Sequence, residues 1–219
     1  MDDGPPDLLT LISEARRLVP DDRHIWCCAS ETFESRITQR RGLLLGGALS
    51  PHFLRDTTAM WFDIPWTVRL RHCRVLICDK AAHEPVTAWL PLMESVAGNG
   101  EALLVVTETI GSELLSTFVV NAFKGTLPVC VVHPLRSGSP APGSQFSTPP
   151  KGPDQLVRID QVWIRRTATV CFPNAGDSLS SATALQNFIV IETGGEHHED
   201  QCDRLRFLIQ ELQRSDPSG

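Results

Sequence analysis

A chain of 219 residues with 26 acidic and 20 basic side chains, formally −6 at neutral pH, can build one substantial domain with an appendage, or two small ones. The acidic balance argues against a nucleic-acid partner, since neutralising phosphates takes clustered Lys and Arg. No apolar stretch approaches the ~20 residues that cross a bilayer, so no membrane partner is expected either.

The start, Met1-Asp2-Asp3-Gly4, is acidic and lacks the basic and apolar parts of a secretory signal. Seven cysteines is an odd number, and Cys78, Cys130 and Cys171 fall inside apolar runs. They read as reduced, buried small hydrophobes, and the expected compartment is the cytoplasm. Further along, Arg69, Arg71 and Arg74 form a local basic patch, expected on a solvated strand edge that discourages sheet-to-sheet pairing.

From Arg74 to His133 the chain reads strand, helix, strand, helix, strand. Arg74–Cys78, Ala102–Thr107 and Pro128–His133 are short runs rich in Val, Leu and Ile, each fitting a strand buried on both faces. Helical segments between them predict a parallel βαβαβ core with right-handed crossovers. The first helix is placed from near Leu90, with Pro91 in its first turn, to about Ala97, before Gly98-Asn99-Gly100. Leu90 and Met93 share one of its faces; Leu92 and Val96 serve another.

The second helix, capped by Gly111 or Ser112, runs to about Phe123 and stops at Lys124-Gly125. Its stripe Leu114, Phe118 and Ala122 is enough to dock on a sheet. Leu115, Val119 and Phe123 form a second stripe, extended by Val120. Either this helix is buried between two layers, or it carries an open apolar ridge that marks a binding surface. Beyond it, the interval 134–153 is dense in Pro, Ser and Gly and reads as a flexible loop.

Signals for chemistry are sparse. His24 with Cys27-Cys28, and His197-His198 with Cys202, have nearly ligand-like spacing, but neither forms a CxxC pair, so no metal is expected. His72-Cys73 would be a thiol nucleophile only if a base and an oxyanion hole converged on it. There is no P-loop, no glycine-rich dinucleotide turn after a strand and no Gly-x-Ser-x-Gly elbow. Glu192, Glu196, Glu199 and Asp200 make a charge run with no evident counter-ion. No catalytic residue and no cofactor are therefore expected.

Thr87–Val132 resembles the apical, polypeptide-binding domain of the group I chaperonins, the GroEL family. Leu90-Pro91-Leu92-Met93-Glu94 matches that family's Leu-Pro-x-Leu/Met-Glu helix. Gly111-Ser112-Glu113-Leu114-Leu115 through Phe118-Val119-Val120-Asn121 to Lys124-Gly125 matches its next helix. Upstream, Gly47-Ala48-Leu49-Ser50-Pro51-His52-Phe53 is similar to Gly-Tyr-Leu-Ser-Pro-Tyr-Phe, and Asp79-Lys80 follows a hydrophobic strand as in the family. Weaker similarity reaches outward. Leu8–Val19 and Ile25–Ala29 resemble the intermediate-domain helix and strand, Gln161–Phe172 the strand returning after the apical helices, and Cys202–Leu212 the helix that follows it.

The resemblance implies an α/β fold of the swivelling β/β/α kind, with flanking strands and helices around the three-stranded core. It implies a partial intermediate-like segment at 1–45 and an apical-like domain at 46–219. It also implies that unfolded or apolar polypeptide is held between the two helices without an ATPase of its own, as by a holdase. The residues carried over are Ala48, His52, Phe53, Leu90, Met93, Leu115, Val119, Val120 and Asn121. Co-chaperonin and full-length chaperonin subunits are further candidate partners. Ala48 and His52 stand where the family has tyrosines, which removes contact area, since aromatic rings bury ~150–250 Å² each. The family's equatorial, ATP-binding domain has no counterpart in the sequence. Two other readings stay open: a small doubly wound α/β enzyme or nucleotide-binding domain with Asp79, Glu108 and His133 at its strand ends, and a degenerate chaperonin paralogue.

Overall fold

A computed structural model describes residues 8–19, 24–30, 34–45, 47–53, 62–64, 67–78, 80–134, 145–146, 148–164, 169–173 and 186–194. The fold is mixed α/β. Its helices are α1 (Leu8–Leu18), α2 (Val86–Gly98) and α3 (Ser112–Lys124). Its strands are β1 (Ile25–Ala29), β2 (Arg36–Leu45), β3 (Gly47–Leu49), β4 (Phe62–Ile64), β5 (Thr67–Cys78), β6 (Ala102–Val106), β7 (Val129–Pro134), β8 (Gln145–Phe146), β9 (Val157–Ile164), β10 (Thr169–Phe172) and β11 (Gln186–Thr193).

The chain divides into two units: Met1–Gly42 with Asp63–Pro65 and Gln186–Gly219, and Leu43–Phe62 with Trp66–Leu185. In the first unit β11 pairs in parallel with β1 and antiparallel with residues 36–42 of β2. In this first unit α1 buries Leu11, Ile12 and Ala15, one helical stripe, and these pack with Val19 just after the helix and with Ile25, Cys27, Ile189 and Ile191.

The second unit is built on a mixed sheet. Residues 43–45 of β2 begin it, followed by β10, β9, β5, β6, β7 and β3. The expected parallel core is present: β5 pairs with β6 (Val75↔Leu104) and β6 with β7 (Val105↔Val131), all three parallel. Every residue of β6 is buried, which is why Ala102–Val106 shows no polar alternation. At β3, a side chain on Gly47 would collide with Val132 Cγ1, so only glycine lets this strand approach β7.

Three expectations about local structure change. β5 begins at Thr67, well before Arg74, and pairs with β9 from Val68 to Val75 and with β6 from Cys73 to Ile77. Arg74, flanked by both neighbours, therefore does not mark an edge. Arg69 lies over the Trp163 ring at 4.8 Å, and Arg74 Nε donates to Glu101 Oε2 at 2.8 Å where both side chains are largely buried. α2 starts at Val86, a turn earlier than expected, which puts Pro91 inside the helix. Pro91 has no N–H to give Thr87 O, but Trp89 is fully buried and meets Phe118 edge-on at 5.6 Å, and this packing holds the added turn. Finally, the interval 134–153 is fitted into the fold at its far end. Gln145–Phe146 lies parallel to Ile77–Cys78, and Pro150 and Pro153 are buried. Residues 135–144 and Cys202–Leu212 fall outside the described residues.

His72 has φ +49°, in the left-handed region, within β5. Val68 and Leu70 are buried before it, Cys73 and Val75 after it, so this one residue shifts the side-chain alternation by a position. Valine is the better strand former, yet it cannot take this φ without strain. His72→Val is expected to lower stability by about 1–2 kcal/mol and His72→Asn by less than about 0.5 kcal/mol, read by urea unfolding. Equal stability of the two variants would show that the backbone at 72 is not constrained.

Candidate polypeptide-binding face

The parallel crossovers β5–α2–β6 and β6–α3–β7 step the same way along the sheet, which with the usual hand puts both helices on one side, where Trp89 of α2 meets Phe118 of α3. α3 has the bounds its sequence predicts. Gly111 caps its start, Leu115 N bonds Gly111 O at 2.9 Å, and Gly125 at φ +70° ends it, with Gly125 N donating to Ala122 O and Thr126 N to Asn121 O. Its docking stripe is Leu114, Phe118 and Ala122, all buried. The second stripe is not sealed. Leu115 and Val119 are half-buried against the core, while Val120 is 47% and Phe123 38% exposed. On α2, Leu90 is 41% exposed.

The nine expected residues separate into three groups. Leu90, Leu115, Val119 and Val120 offer apolar surface on two helices that touch through Trp89 and Phe118. Phe53 and Met93, at 3% and 5% exposure, belong to the core and present almost no area to a ligand, which corrects their expected place. Met93 turns inward because it lies one turn beyond Trp89, which sets the buried face of α2; Phe53 turns inward in the short helical turn Pro51–Phe53, where its N–H bonds Ser50 O at 3.1 Å. Of the rest, His52 is exposed in that turn, and Ala48 is half-buried opposite His133 across the β3–β7 ladder. The Asn121 amide is engaged in the fold: Nδ2 donates to Thr117 O and Oδ1 accepts from Thr126 Oγ1, both at 2.8 Å. Phe123 belongs with the open group, and its place one turn after Val119 was the signal for it.

At the carboxyl ends of the parallel strands, polar groups are committed to bracing the loop that leads into α3. His133 Nδ1 lies 2.9 Å from Thr107 O and His83 Nε2 2.9 Å from Thr109 Oγ1. Thr107 Oγ1 donates to Thr109 O at 2.7 Å, and Gly111 N to Ala82 O at 2.9 Å. Glu108 is exposed, and Asp79 lies outside the described residues.

The remaining chemical candidates find ordinary settings. Cys73 is fully buried, and burial pushes its thiol well above the usual range, so the thiolate that a nucleophile requires is disfavoured. Its neighbour His72 points to solvent, 3.8 Å from Asp160. His24 Nε2 lies 2.8 Å from Gln186 Oε1, with its ring 5.1 Å from that of Phe188. Glu192 does have a counter-ion, Arg36; Glu196, Glu199, Asp200, His197 and His198 lie outside the described residues. Among the described residues no helix is long and apolar enough to cross a membrane. No family model matches the chain.

Proposed function

We propose that the second unit is a chaperonin-apical-like module that holds apolar segments of unfolded polypeptide on the outer surface of α2 and α3, by burial alone and without a nucleotide cycle. One observation carries this reading: two adjacent helices leave Leu90, Val120 and Phe123 open beside half-buried Leu115 and Val119. Large apolar side chains gathered on neighbouring helices recover free energy only when a partner covers them. The collinear motifs from Gly47 to Val132 support the family assignment. The exposed set is small, so single segments bind weakly and several contacts together give useful retention.

The test pairs client capture with nucleotide binding. A permanently unfolded, reduced and alkylated protein serves as client, and capture is measured for wild type, Val120→Glu and Leu90→Glu. Both positions are exposed, so the variants keep the native circular dichroism. Each carboxylate is expected to lower affinity about tenfold by placing a charge where a desolvated contact must form. Undiminished capture by folded variants rejects the face. A rise in melting temperature with ATP would instead favour a nucleotide-binding α/β domain.

A further inference from the structure

The open face of α3 is patterned in a way that peptide capture does not require. Its exposed residues are Ser112, Glu113, Ser116, Val120, Phe123 and Lys124. Small side chains and the acid occupy the first half; large apolar side chains and the base occupy the second. At ~100° and ~1.5 Å per residue, Glu113 and Lys124 lie along one flank of this face, ~16 Å apart. Ser112 and Phe123 lie along the other flank, with Ser116 and Val120 between. Neither Glu113 nor Lys124 makes an ion pair among the described residues.

We propose that this face pairs with itself: two copies of the chain meet through antiparallel α3 helices across a two-fold axis. The axis keeps each flank on its own side while reversing direction. Glu113 of each copy then faces Lys124 of the other, Phe123 lies over Ser112, and Val120 over Ser116. Every contact occurs twice, acid against base and large against small, as an isologous interface requires. A parallel two-fold pairing would exchange the flanks at one height, setting Glu113 against Ser112, Lys124 against Phe123 and Val120 beside Val120, so no acid would meet a base and it is disfavoured. One helix face buries less than the ~800 Å² per partner of a standard stable interface, so the dimer is weak, with a dissociation constant on the order of 0.1 mM. Because Val120 lies in both surfaces, clients and the second copy compete for it.

The experiment is sedimentation equilibrium of the full chain from about 10 µM to 1 mM, without client. The wild-type mass is expected to rise with concentration towards twice the chain mass. Glu113→Lys and Lys124→Glu, each alone, set like charges against each other twice and hold the chain monomeric. The double reversal restores pairing. Circular dichroism confirms that each variant is folded, since both reversals also remove a favourable helix-end charge. A wild type that stays monomeric at 1 mM, single reversals that pair as well as wild type, or a double reversal that stays monomeric overturns the proposal. Since no client is present, these outcomes are independent of those of the capture experiment.

Discussion

Phe118→Ala is expected to destabilise the second unit by about 3–5 kcal/mol, the range for truncating a fully buried aromatic ring. Phe118 is fully buried at the centre of the α3 docking stripe, and its edge contact with Trp89 joins α3 to α2. Removing the ring opens a cavity under both helices at once, and the backbone cannot close it without moving one of them off the sheet. Phe123→Ala, on the same helix but exposed, should cost less than about 1 kcal/mol, since its surface is mostly in water already. Urea unfolding followed by tryptophan fluorescence measures both. The two substitutions should separate in function too: Phe118→Ala loosens the scaffold that presents the apolar face, whereas Phe123→Ala removes part of the face from an intact scaffold. A loss below about 1 kcal/mol for Phe118→Ala would mean that α3 does not dock through this residue.

What could be read from the sequence was what local physics determines. Two of the three parallel strands announced themselves because burial on both faces leaves only Val, Leu, Ala and Cys in Ala102–Val106 and Val129–Val132. α3 was legible at both ends through Gly111 and Gly125. The first half of β5 was hidden by its arginines, which suit a solvated edge until Trp163 of β9 supplies a partner for Arg69 and Glu101, just before β6, one for Arg74. The first turn of α2 was hidden by Pro91, which suggests a helix start wherever it stands. The pairing of Ile25 with Ile189 leaves no local trace, because it joins segments far apart in sequence. The same limit explains the mixed outcome at the binding face. Spacing grouped Leu90 with Met93, but only the direction of the core, set by Trp89 on Phe118, decides that one is open and the other buried.

Stability is also expected to fall steeply on the alkaline side, and buried thiols are the cause. Burial pushes Cys130 and Cys171 up to about 12 from an ordinary 9.0, and raises Cys73 in the same direction. The folded state therefore holds these protons more tightly than the unfolded chain does. Below pH 9 the stabilisation is complete; above it the unfolded chain ionises first, and stability is lost progressively as pH rises towards 12. Each thiol contributes a limiting slope of about 1.4 kcal/mol per pH unit in that window, so Cys130 and Cys171 together give about 2–3 kcal/mol per unit. The chain contains no tyrosine, so phenol ionisation does not overlap the effect. Unfolding free energies at pH 8, 9.5 and 10.5 for wild type and for Cys130→Ala/Cys171→Ala test this directly. The small cavities left by alanine lower stability equally at every pH, whereas the steepness of the alkaline limb should drop only if the thiols produce it. Equal steepness in the two proteins would show that the thiols do not drive the loss, and that water reaches Cys130 and Cys171 in the native state.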